Sequence, residues 1–402
     1  MKYVSSRLSP VKPSPSASVS AAARALRAKG EDVIDLGLGE PDFDTPNHII
    51  DAAYEAAKRG ETRYTPMEGT AALREAVIGK LKRDNSLDYA LSEVIISNGA
   101  KQIIFDAMMA SLEEGDEVLL CAPYFATYAD IVLILGAKPV AVECPGDNGF
   151  RLTPQALEKA ITPKTRWLFL NLPSNPSGAV FSLKDLQAIG AIIEKHPQIM
   201  VLSDEIYEHI LFDGQKFISF AEACPNLKDR TLTVNGVSKA YAMTGWRIGY
   251  AAGPEELIKA MSKVQAQVSS GPCSVAQAAA VAALEGPQDE VHRFCEAFEK
   301  RRDLVVSRVK DIEGLSLDPP GGAFYALIEC SGWIGSKTSS GEVLANDVAF
   351  AKYLLEEAKV AVVPGEAYGL SPYFRISTAT SEDVLSAAMD RIAEAVGKLT
   401  KG

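Results

Sequence analysis

Four polar segments of the chain each follow a short apolar run of the kind that forms a buried strand. Ligands of parallel α/β sheets bind beyond the carboxyl ends of the strands, so chemistry is expected in these segments. They supply a turn of small residues, an amide, a carboxylate, and a lysine followed by an arginine. In chain order they are SNGAKQ (97–102), NLPSNPSG (171–178), SDEIY (203–207) and SKAYAMTGWRIGY (238–250).

Each of the first three segments also has an ordinary structural interpretation. The turn at 97–102 either presents backbone N–H groups to an anion at a helix N-terminus or is a plain βα turn. Asn175 lies in a loop fixed by prolines, where its amide either donates to a ligand or forms a structural turn. Asp204 ends a predicted buried strand, so it either pairs with a cation or caps a helix.

The fourth segment contains Lys239 in a stretch that is otherwise poor in charge, with Arg247 eight residues further on. Most lysines are solvated, but a lysine at the edge of an apolar block has a lowered pKa and is nucleophilic toward carbonyl groups. Arg247 and Ser238 suit a phosphate. Together the four segments match pyridoxal 5′-phosphate, which needs a lysine, an acid at the ring nitrogen and phosphate donors.

Apolar runs alternate with amphipathic helical stretches through most of the chain. This pattern predicts βα units and an α/β fold with a mainly parallel sheet whose faces are both covered. The four polar segments should then meet at one edge of that sheet. The predicted strands are 94–96, 117–121, 165–170, 199–202, 231–234 and 248–252, and the predicted helices between them include 124–135 and 183–195.

The two ends of the chain depart from this alternation. The Ser- and Pro-rich opening predicts an extended arm, followed by a helix at 21–29 and a strand at 33–36. Asp44, Thr45 and Pro46 predict the start of a further helix, with Asp44 as the candidate cap.

A smaller α/β domain is predicted after residue 285, joined through a long charged helix. Its predicted elements are helices at 289–309, 348–358 and 381–399, with a strand at 360–363. The chain is therefore divided into an N-terminal arm with part of the small domain (1–45), a large cofactor-binding domain (46–285) and a small C-terminal domain (286–402).

Length, charge and cysteine usage exclude several classes of protein. A chain of 402 residues with a net charge of −11 suits two or three domains and is unsuited to nucleic acid or an anionic membrane. The six cysteines and four histidines are scattered, so neither a metal site nor a disulfide framework is expected. Neither a signal peptide nor an apolar stretch of about 18 residues is visible, so a cytoplasmic location is expected.

The chain resembles the fold-type I aminotransferases of class I and II, and is similar in particular to the bacterial aspartate aminotransferases. The resemblance covers almost the whole chain, and the order of SDEIY and SKAYAMTGWRIGY is highly specific. Besides the four segments above, the shared motifs are KPS (12–14), GEPDFDTP (39–46), YTP (64–66), PY (123–124), GGAFY (321–325), PGEAYG (364–369) and FRIS (374–377).

The resemblance implies a role for each matching residue around pyridoxal 5′-phosphate. Lys239 would hold the cofactor covalently and then move the proton between Cα and the cofactor. Asp204 would pair with the ring nitrogen, while Tyr207 and Asn175 would hydrogen-bond the ring oxygen. The phosphate would be bound by Gly99, Ala100, Ser238 and Arg247, and by Tyr64 of a neighbouring subunit in a homodimer.

Substrate contacts are implied in the same way. Arg375 would bind the α-carboxylate, with Asn175 and the backbone of Gly39 assisting. The stretch 265–274 lacks the arginine that one branch of the family uses for a distal carboxylate. In the other branch a lysine beside the phosphate loop and hydroxyls of the N-terminal arm take that task. Lys101, Ser14 and Ser16 match those positions.

One position departs from the pattern of the aspartate-specific members. Phe125 stands where a tryptophan often stacks on the cofactor ring. Phenylalanine can stack but has no N–H with which to bind a distal carboxylate. This leaves open small acceptors such as glyoxylate or pyruvate, as well as aromatic or prephenate-like acids.

Two further functions are weighed against an aspartate aminotransferase. A lyase on the same fold would use the same electron sink, and it would release ammonia. A ligand-binding regulator on this fold would need an added DNA-binding module, for which the chain leaves no length, and its charge is wrong for DNA.

Overall fold

The computed structural model describes residues 3–11 and 13–401. A seven-stranded sheet forms its centre, in the order β2-β8-β7-β6-β5-β3-β4. Only β8 runs antiparallel to its neighbours, so the predicted α/β class and mainly parallel sheet are confirmed. The strands are β2 (Val94–Ser97), β3 (Glu117–Ala122), β4 (Lys138–Glu143), β5 (Thr165–Asn171), β6 (Met200–Asp204), β7 (Thr231–Gly236) and β8 (Gly249–Ala252).

Helices cover both faces of this sheet, as the continuous apolar strands require. One core cluster combines strand residues with α4, α5 and α9, another combines them with α2, α3 and α10, and a third includes α7. These helices are α2 (Asn47–Lys58), α3 (Ala71–Asn85), α4 (Ala100–Ser111), α5 (Thr127–Ile134), α6 (Pro154–Ala160), α7 (Leu183–Glu194), α8 (Phe220–Ala223), α9 (Glu255–Val268) and α10 (Ser274–Glu285).

A second core surrounds a three-stranded antiparallel sheet of order β11-β12-β9. The long helix α11 packs Val305 and Val309 into this core, while its Phe294 and Phe298 join a cluster with Tyr207 of the large sheet's edge. The elements are α11 (Asp289–Lys310), β9 (Tyr325–Glu329), α12 (Asp347–Tyr353), β10 (Val360–Ala361), β11 (Val363–Pro364), β12 (Tyr373–Ser377) and α13 (Glu382–Gly397). The domain boundaries at residues 45 and 285 stay predictions.

The N-terminal region differs from the sequence prediction. Helix α1 (Pro15–Arg27) begins inside the segment that was expected to be extended, and it buries Ser20 and Ala23. Pro15 stands in the first helical turn, where its fixed φ favours a helix and its missing N–H costs nothing. The first strand, β1 (Ile34–Asp35), pairs with β10. Lys12, in the first shared motif, lies outside the described residues.

Two other local predictions were wrong. Asp44 does not cap the next helix, because Pro46 occupies the cap position of α2 and the Thr45 hydroxyl donates instead to the Ala242 carbonyl at 2.6 Å. The predicted strand at 360–363 is two short strands, since β10 pairs with β1 and β11 pairs with β12.

The edge strand β4 was not predicted at all, because Pro139 lies within it. Proline is tolerated there because an edge strand leaves one side of its ladder unpaired. Among the described residues no helix is long and apolar enough to cross a membrane.

Candidate active site

A cavity of about 380 Å³ opens at the carboxyl ends of β2, β5, β6 and β7. It lies where the sequence placed its four polar segments, because parallel strands direct their carboxyl ends to one edge. The residues of the sequence prediction that line it are Ser14, Ser16, Gly39, Ala100, Lys101, Phe125, Asn175, Asp204, Tyr207, Ser238, Lys239, Arg247 and Arg375.

One end of the cavity is built to hold an anion. Helix α4 begins at Ala100, and its cap residue Gly99 has a φ of +88°. A Cβ at Gly99 would lie 2.4 Å from Nη2 of Arg247, so only glycine lets the guanidinium approach the helix N-terminus. Arg247 is fixed by donation to the Thr244 carbonyl at 2.7 Å, and the Ser238 side chain lines the same cavity. Backbone N–H groups, a hydroxyl and a guanidinium suit a phosphate.

Asp204 places a carboxylate in the cavity at the end of β6. Burial is the main cause that raises its pKa to about 6, and hydrogen bonds to its oxygens oppose the rise. Its Oδ2 accepts from the Tyr128 hydroxyl at 2.5 Å, and its Oδ1 accepts from the Ile206 backbone N–H at 3.3 Å. A protonated ring nitrogen beside this buried carboxylate would favour its charged form, as Lys239 already does more weakly.

Tyr128 and Asn171 are site residues that the sequence analysis missed. The Tyr128 hydroxyl donates to the Asp204 carboxylate. The Asn171 side chain donates to the Asp204 backbone carbonyl at 3.0 Å and accepts from the Asn175 backbone N–H at 2.6 Å. The available signal was weak: Tyr128 lies four residues after Tyr124, on one face of a predicted helix. Asn171 is the first residue of a segment that we did select.

Lys239 lies partly buried in the cavity, and its Nζ donates to the Gly39 carbonyl at 2.5 Å. Burial is the main cause that lowers its pKa to about 8. Glu40 acts in the opposite direction, while Arg375 and Arg247 lower the pKa further. An amine with this pKa has a substantial neutral fraction near pH 8 and can act as a nucleophile or a base.

Arg375 is a buried guanidinium on β12, only 2% exposed. Its Nη1 donates to Asn175 Oδ1 at 3.1 Å, and its Nη2 donates to the Gly37 carbonyl at 2.6 Å and to Ser16 Oγ at 3.3 Å. Its buried Nε has no hydrogen-bond partner among the described residues. A planar cation with an unsatisfied donor beside a cavity is suited to a carboxylate.

Lys101 and Phe125 lie together in the cavity, and Lys101 directly follows Ala100 in the first turn of α4. The Lys101 ammonium lies 5.4 Å from the centre of the Phe125 ring. Burial is the main cause that lowers the Lys101 pKa, and Arg247 lowers it further. The cavity therefore holds two cations that could receive carboxylates, Lys101 and Arg375, with Lys239 lining the same space.

Tyr64 is a predicted site residue that does not line the cavity. It is 92% exposed in the single chain. The resemblance assigned it to a neighbouring subunit's phosphate, and a side chain with that task would be free in the isolated chain.

A buried ionic network supports the loop that carries Tyr207. Glu208 contacts Lys80 and accepts from Asn85 and Asn235 at 2.9 Å each, and its Oε1 lies 3.2 Å from Nε2 of His209. Burial acts to raise the Glu208 pKa, but Lys80 and His209 outweigh it and hold the pKa well below its usual range. The network joins α3, the loop after β6, and β7.

Replacing Lys80 by methionine is expected to lower the free energy of unfolding by about 3–5 kcal/mol, because it leaves the Glu208 carboxylate buried without its cation. Lys82→Met is the matched control on the same helix, since Lys82 is exposed and pairs with Asp88 at the surface. Chemical denaturation of both variants tests this. Equal unfolding midpoints for the two variants would contradict the supporting role of the network.

The arrangement as a whole can hold a phosphorylated pyridine ring. The anion end would take the phosphate, Asp204 the ring nitrogen and Lys239 an aldehyde carbon, while Arg375 and Lys101 remain for a second ligand. Such a site can activate the Cα–H bond of a bound amino acid.

The comparisons with known proteins agree with this chemistry. A family model described as aminotransferase class I and II matches residues 31–392. An aspartate aminotransferase of Rhizobium meliloti is 53% identical over 98% of this chain and 96% of the relative. A probable aspartate/prephenate aminotransferase of Rickettsia bellii is 51% identical over 99% of this chain and 100% of the relative.

Solved structures give the same result. The aspartate aminotransferase structure from Rhizobium meliloti matches with a TM-score of 0.97 and 52% identity, covering 100% of both chains. The aspartate aminotransferase of Thermus thermophilus with maleate matches with a TM-score of 0.91 and 40% identity, covering 98% of this chain and 100% of that one.

Proposed function

The chain belongs to the aminotransferases of class I and II, and we propose that it moves the amino group of L-aspartate to a 2-oxo acid such as 2-oxoglutarate. Oxaloacetate, glyoxylate and pyruvate are further candidate oxo acids for the exchange. The observation that carries the proposal is the presence of two cations, the buried Arg375 and the solvent-accessible Lys101, in the cavity that contains Lys239. A dicarboxylic amino acid can occupy both at once.

Aminotransferases of this class use pyridoxal 5′-phosphate, and the residues of the cavity fit it. When bound, the cofactor supplies the electron sink that allows the Cα–H bond of the substrate to break. Gly99, Ala100, Ser238 and Arg247 would bind its phosphate, and Phe125 would stack on its ring. The close approach of Arg247 to Gly99, which a Cβ would block, supports the phosphate assignment.

The proposed catalytic roles follow from the buried polar groups. Asp204 keeps the ring nitrogen protonated, and Tyr207 and Asn175 hydrogen-bond the ring oxygen. Lys239 holds the cofactor at rest. Lys239 Nζ would also act as the base that takes the proton from Cα of the bound amino acid, a role that requires hydrogen-bond reach of that atom.

Substrate binding is assigned to the two ends of the amino acid. Arg375, with Asn175 and the backbone of Gly39, binds the α-carboxylate. Lys101, with Ser14 and Ser16 of the arm, binds the distal carboxylate. The hydrogen bond from Arg375 to Ser16 Oγ supports a place for the arm in this cavity, which Ser14 also lines.

Lys101→Ala is expected to raise the KM for L-aspartate about 10–100-fold, because a hydrogen bond to a charged group contributes about 1.5–3 kcal/mol. The KM for L-alanine should change little, because alanine has no distal carboxylate. Arg375→Ala should weaken both substrates, because both carry an α-carboxylate. Steady-state kinetics with both donors measures these effects.

A surface lysine serves as the control for this experiment. Lys195 is exposed and pairs with Glu158, so Lys195→Ala should leave both KM values unchanged. An equal loss for aspartate and alanine in Lys101→Ala would remove Lys101 from the specificity argument. Unchanged affinity in Arg375→Ala would contradict the α-carboxylate site.

Prephenate is a second candidate acceptor of the amino group. Several similar relatives are named aspartate/prephenate aminotransferases, and prephenate also carries two carboxylates. Phe125 favours this candidate, because phenylalanine has no N–H group that could donate to the distal carboxylate of aspartate. Turnover of prephenate with L-aspartate as donor would establish it.

The active assembly is proposed to be a homodimer with shared sites. The 92% exposed side chain of Tyr64 supports this, since it is free to enter a neighbouring site. The cytoplasmic location stays a prediction from the sequence.

A further inference from the structure

Tyr325 is a buried cavity residue to which the sequence analysis gave no role. It is the first residue of β9, within the GGAFY motif. Its hydroxyl lies 2.9 Å from the hydroxyl of Tyr207, and the two rings stand nearly perpendicular at 83°. Either hydroxyl can donate in this pair.

Two further contacts connect Tyr325 to the groups that would bind ligands. The Arg375 guanidinium lies over the Tyr325 ring, 4.4 Å from its centre. A Cβ at Gly39 would lie 2.1 Å from the Tyr325 hydroxyl oxygen, so the chain passes this ring only because residue 39 is glycine. Gly39 in turn accepts the hydrogen bond of Lys239. Tyr325 therefore touches Tyr207, Arg375 and the loop that contacts Lys239.

We propose that Tyr325 is a positioning residue: its hydroxyl orients the Tyr207 hydroxyl toward the cofactor's ring oxygen, and its ring holds the Arg375 guanidinium in place. The inference rests on the proposed function, because it assumes that Tyr207 meets the ring oxygen. Its two parts use different portions of one side chain. They can therefore be separated by substitution.

The number of hydroxyl protons decides which tyrosine donates in the hydrogen bond between Tyr325 and Tyr207. Each hydroxyl has one proton to donate and two lone pairs to accept. If Tyr207 donates to the ring oxygen, it has no proton left for Tyr325, so Tyr325 must donate to Tyr207. Among the described residues the Tyr325 hydroxyl makes no other side-chain hydrogen bond. Such a donation polarises the Tyr207 hydroxyl and strengthens its own bond.

Both tyrosines keep their protons at neutral pH. Burial raises the pKa of Tyr207 well above its ordinary value, and burial also raises the pKa of Tyr325. Arg375 opposes the rise at both residues, since a nearby cation favours the ionised form. The charged groups around the pair are Arg375, Asp204 and Lys239, which all line the same cavity.

Tyr325→Phe removes the hydroxyl and keeps the ring. In the cofactor-loaded enzyme, the visible absorbance of the lysine-bound cofactor reports its pKa. We expect this pKa to rise by roughly half a unit, about half of one neutral hydrogen bond. The sign follows because a donor to the ring oxygen stabilises the deprotonated, more negative state. Weakening that donor therefore favours the protonated state.

A double-mutant cycle decides whether Tyr325 acts through Tyr207. Tyr207→Phe alone should raise the same pKa by more than Tyr325→Phe does. Adding Tyr325→Phe to Tyr207→Phe should then produce no further shift. Additive shifts, or no shift in Tyr325→Phe alone, would overturn the hydroxyl part of the proposal.

The proposed role of the Tyr325 ring, which is to hold the Arg375 guanidinium, is tested by comparing two substitutions. Tyr325→Phe should leave the KM for L-aspartate within about twofold, because the ring still faces the guanidinium. Tyr325→Leu should raise that KM about 3–10-fold, as expected for loss of a cation–π contact. Equal KM values for the two variants would overturn the ring part.

Tyr353→Phe is the matched control for folding. Tyr353 is also a buried tyrosine, whose hydroxyl donates to the Ala395 carbonyl at 2.7 Å in the other core. It should change neither the cofactor's pKa nor the KM. A wild-type enzyme without a Lys239-dependent absorbance band would overturn the proposed function, and this inference with it. A normal wild-type band with an unshifted Tyr325→Phe would overturn only this inference.

Discussion

Lys239→Ala should lower the turnover of L-aspartate by at least about 10⁴-fold, because it removes both the covalent tether and the general base, and a base alone is worth up to about 10⁴. The phosphate contacts and Asp204 remain in the variant, so noncovalent binding of pyridoxal 5′-phosphate should persist. Turnover of the loaded variant and retention of the cofactor on dialysis measure the two effects.

Borohydride reduction gives an independent test of the same residue. It should fix the cofactor to the wild-type chain on the peptide that contains Lys239, as read by mass spectrometry. Lys195→Ala, at an exposed surface position, serves as the control and should be labelled like the wild type. Labelling of a different lysine, or full turnover by Lys239→Ala, would contradict the assignment.

Asp204→Asn should reduce turnover of the loaded enzyme on the order of 10³-fold. Removing one partner of a buried charge pair costs about 3–5 kcal/mol, and each 1.36 kcal/mol is a factor of ten in rate. An amide cannot hold the proton on the ring nitrogen as a carboxylate does. The steady-state kcat with saturating L-aspartate measures this loss.

The same substitution should stabilise the cofactor-free protein above pH 6. Burial raises the Asp204 pKa to about 6 from 3.8, so the folded state binds a proton that the unfolded state releases. The folded protein therefore loses stability as the pH rises between these two values, by about 3 kcal/mol in total. Asparagine removes this loss. Denaturation of the cofactor-free wild type and variant at pH 5 and pH 8 measures the difference.

Asp106→Asn is the matched control for both effects. Asp106 is also buried, and burial is the main cause that raises its pKa to about 7, but it does not line the cavity. Its replacement should likewise stabilise the protein at pH 8, while leaving turnover unchanged. Equal turnover losses in the two variants would contradict the assignment of Asp204 to the ring nitrogen.

The large sheet could be predicted from the sequence because its strands are continuous apolar runs. All residues of Val94–Ser97, Met200–Asp204 and Thr231–Gly236 are buried except Met200, and clear helical patterns separate these strands. Lys138–Glu143 was not predicted because only Val142 of this edge strand is buried and because it contains Pro139. The break between Val360–Ala361 and Val363–Pro364 escaped because each half pairs with a different distant strand.

The site residues also differ in whether their roles depend on local sequence or on contacts with distant residues. Lys239, Asp204 and Asn175 could be selected because each follows an apolar run in its own segment. Tyr128 and Tyr325 could not, since their roles depend on hydrogen bonds to residues that are 76 and 118 positions away. No local sequence pattern identifies a tyrosine whose hydrogen-bond partner is distant in the sequence and close only in the folded chain.

The most direct test of the account adds one equivalent of L-aspartate to the cofactor-loaded protein with no oxo acid present. We predict loss of the visible band of the lysine-bound cofactor, with release of one oxaloacetate per site. Adding 2-oxoglutarate should then restore the band. A visible band that does not change when L-aspartate is added would contradict both the assignment of Lys101 and the proposed reaction with aspartate. Release of ammonia with fumarate would instead show a lyase.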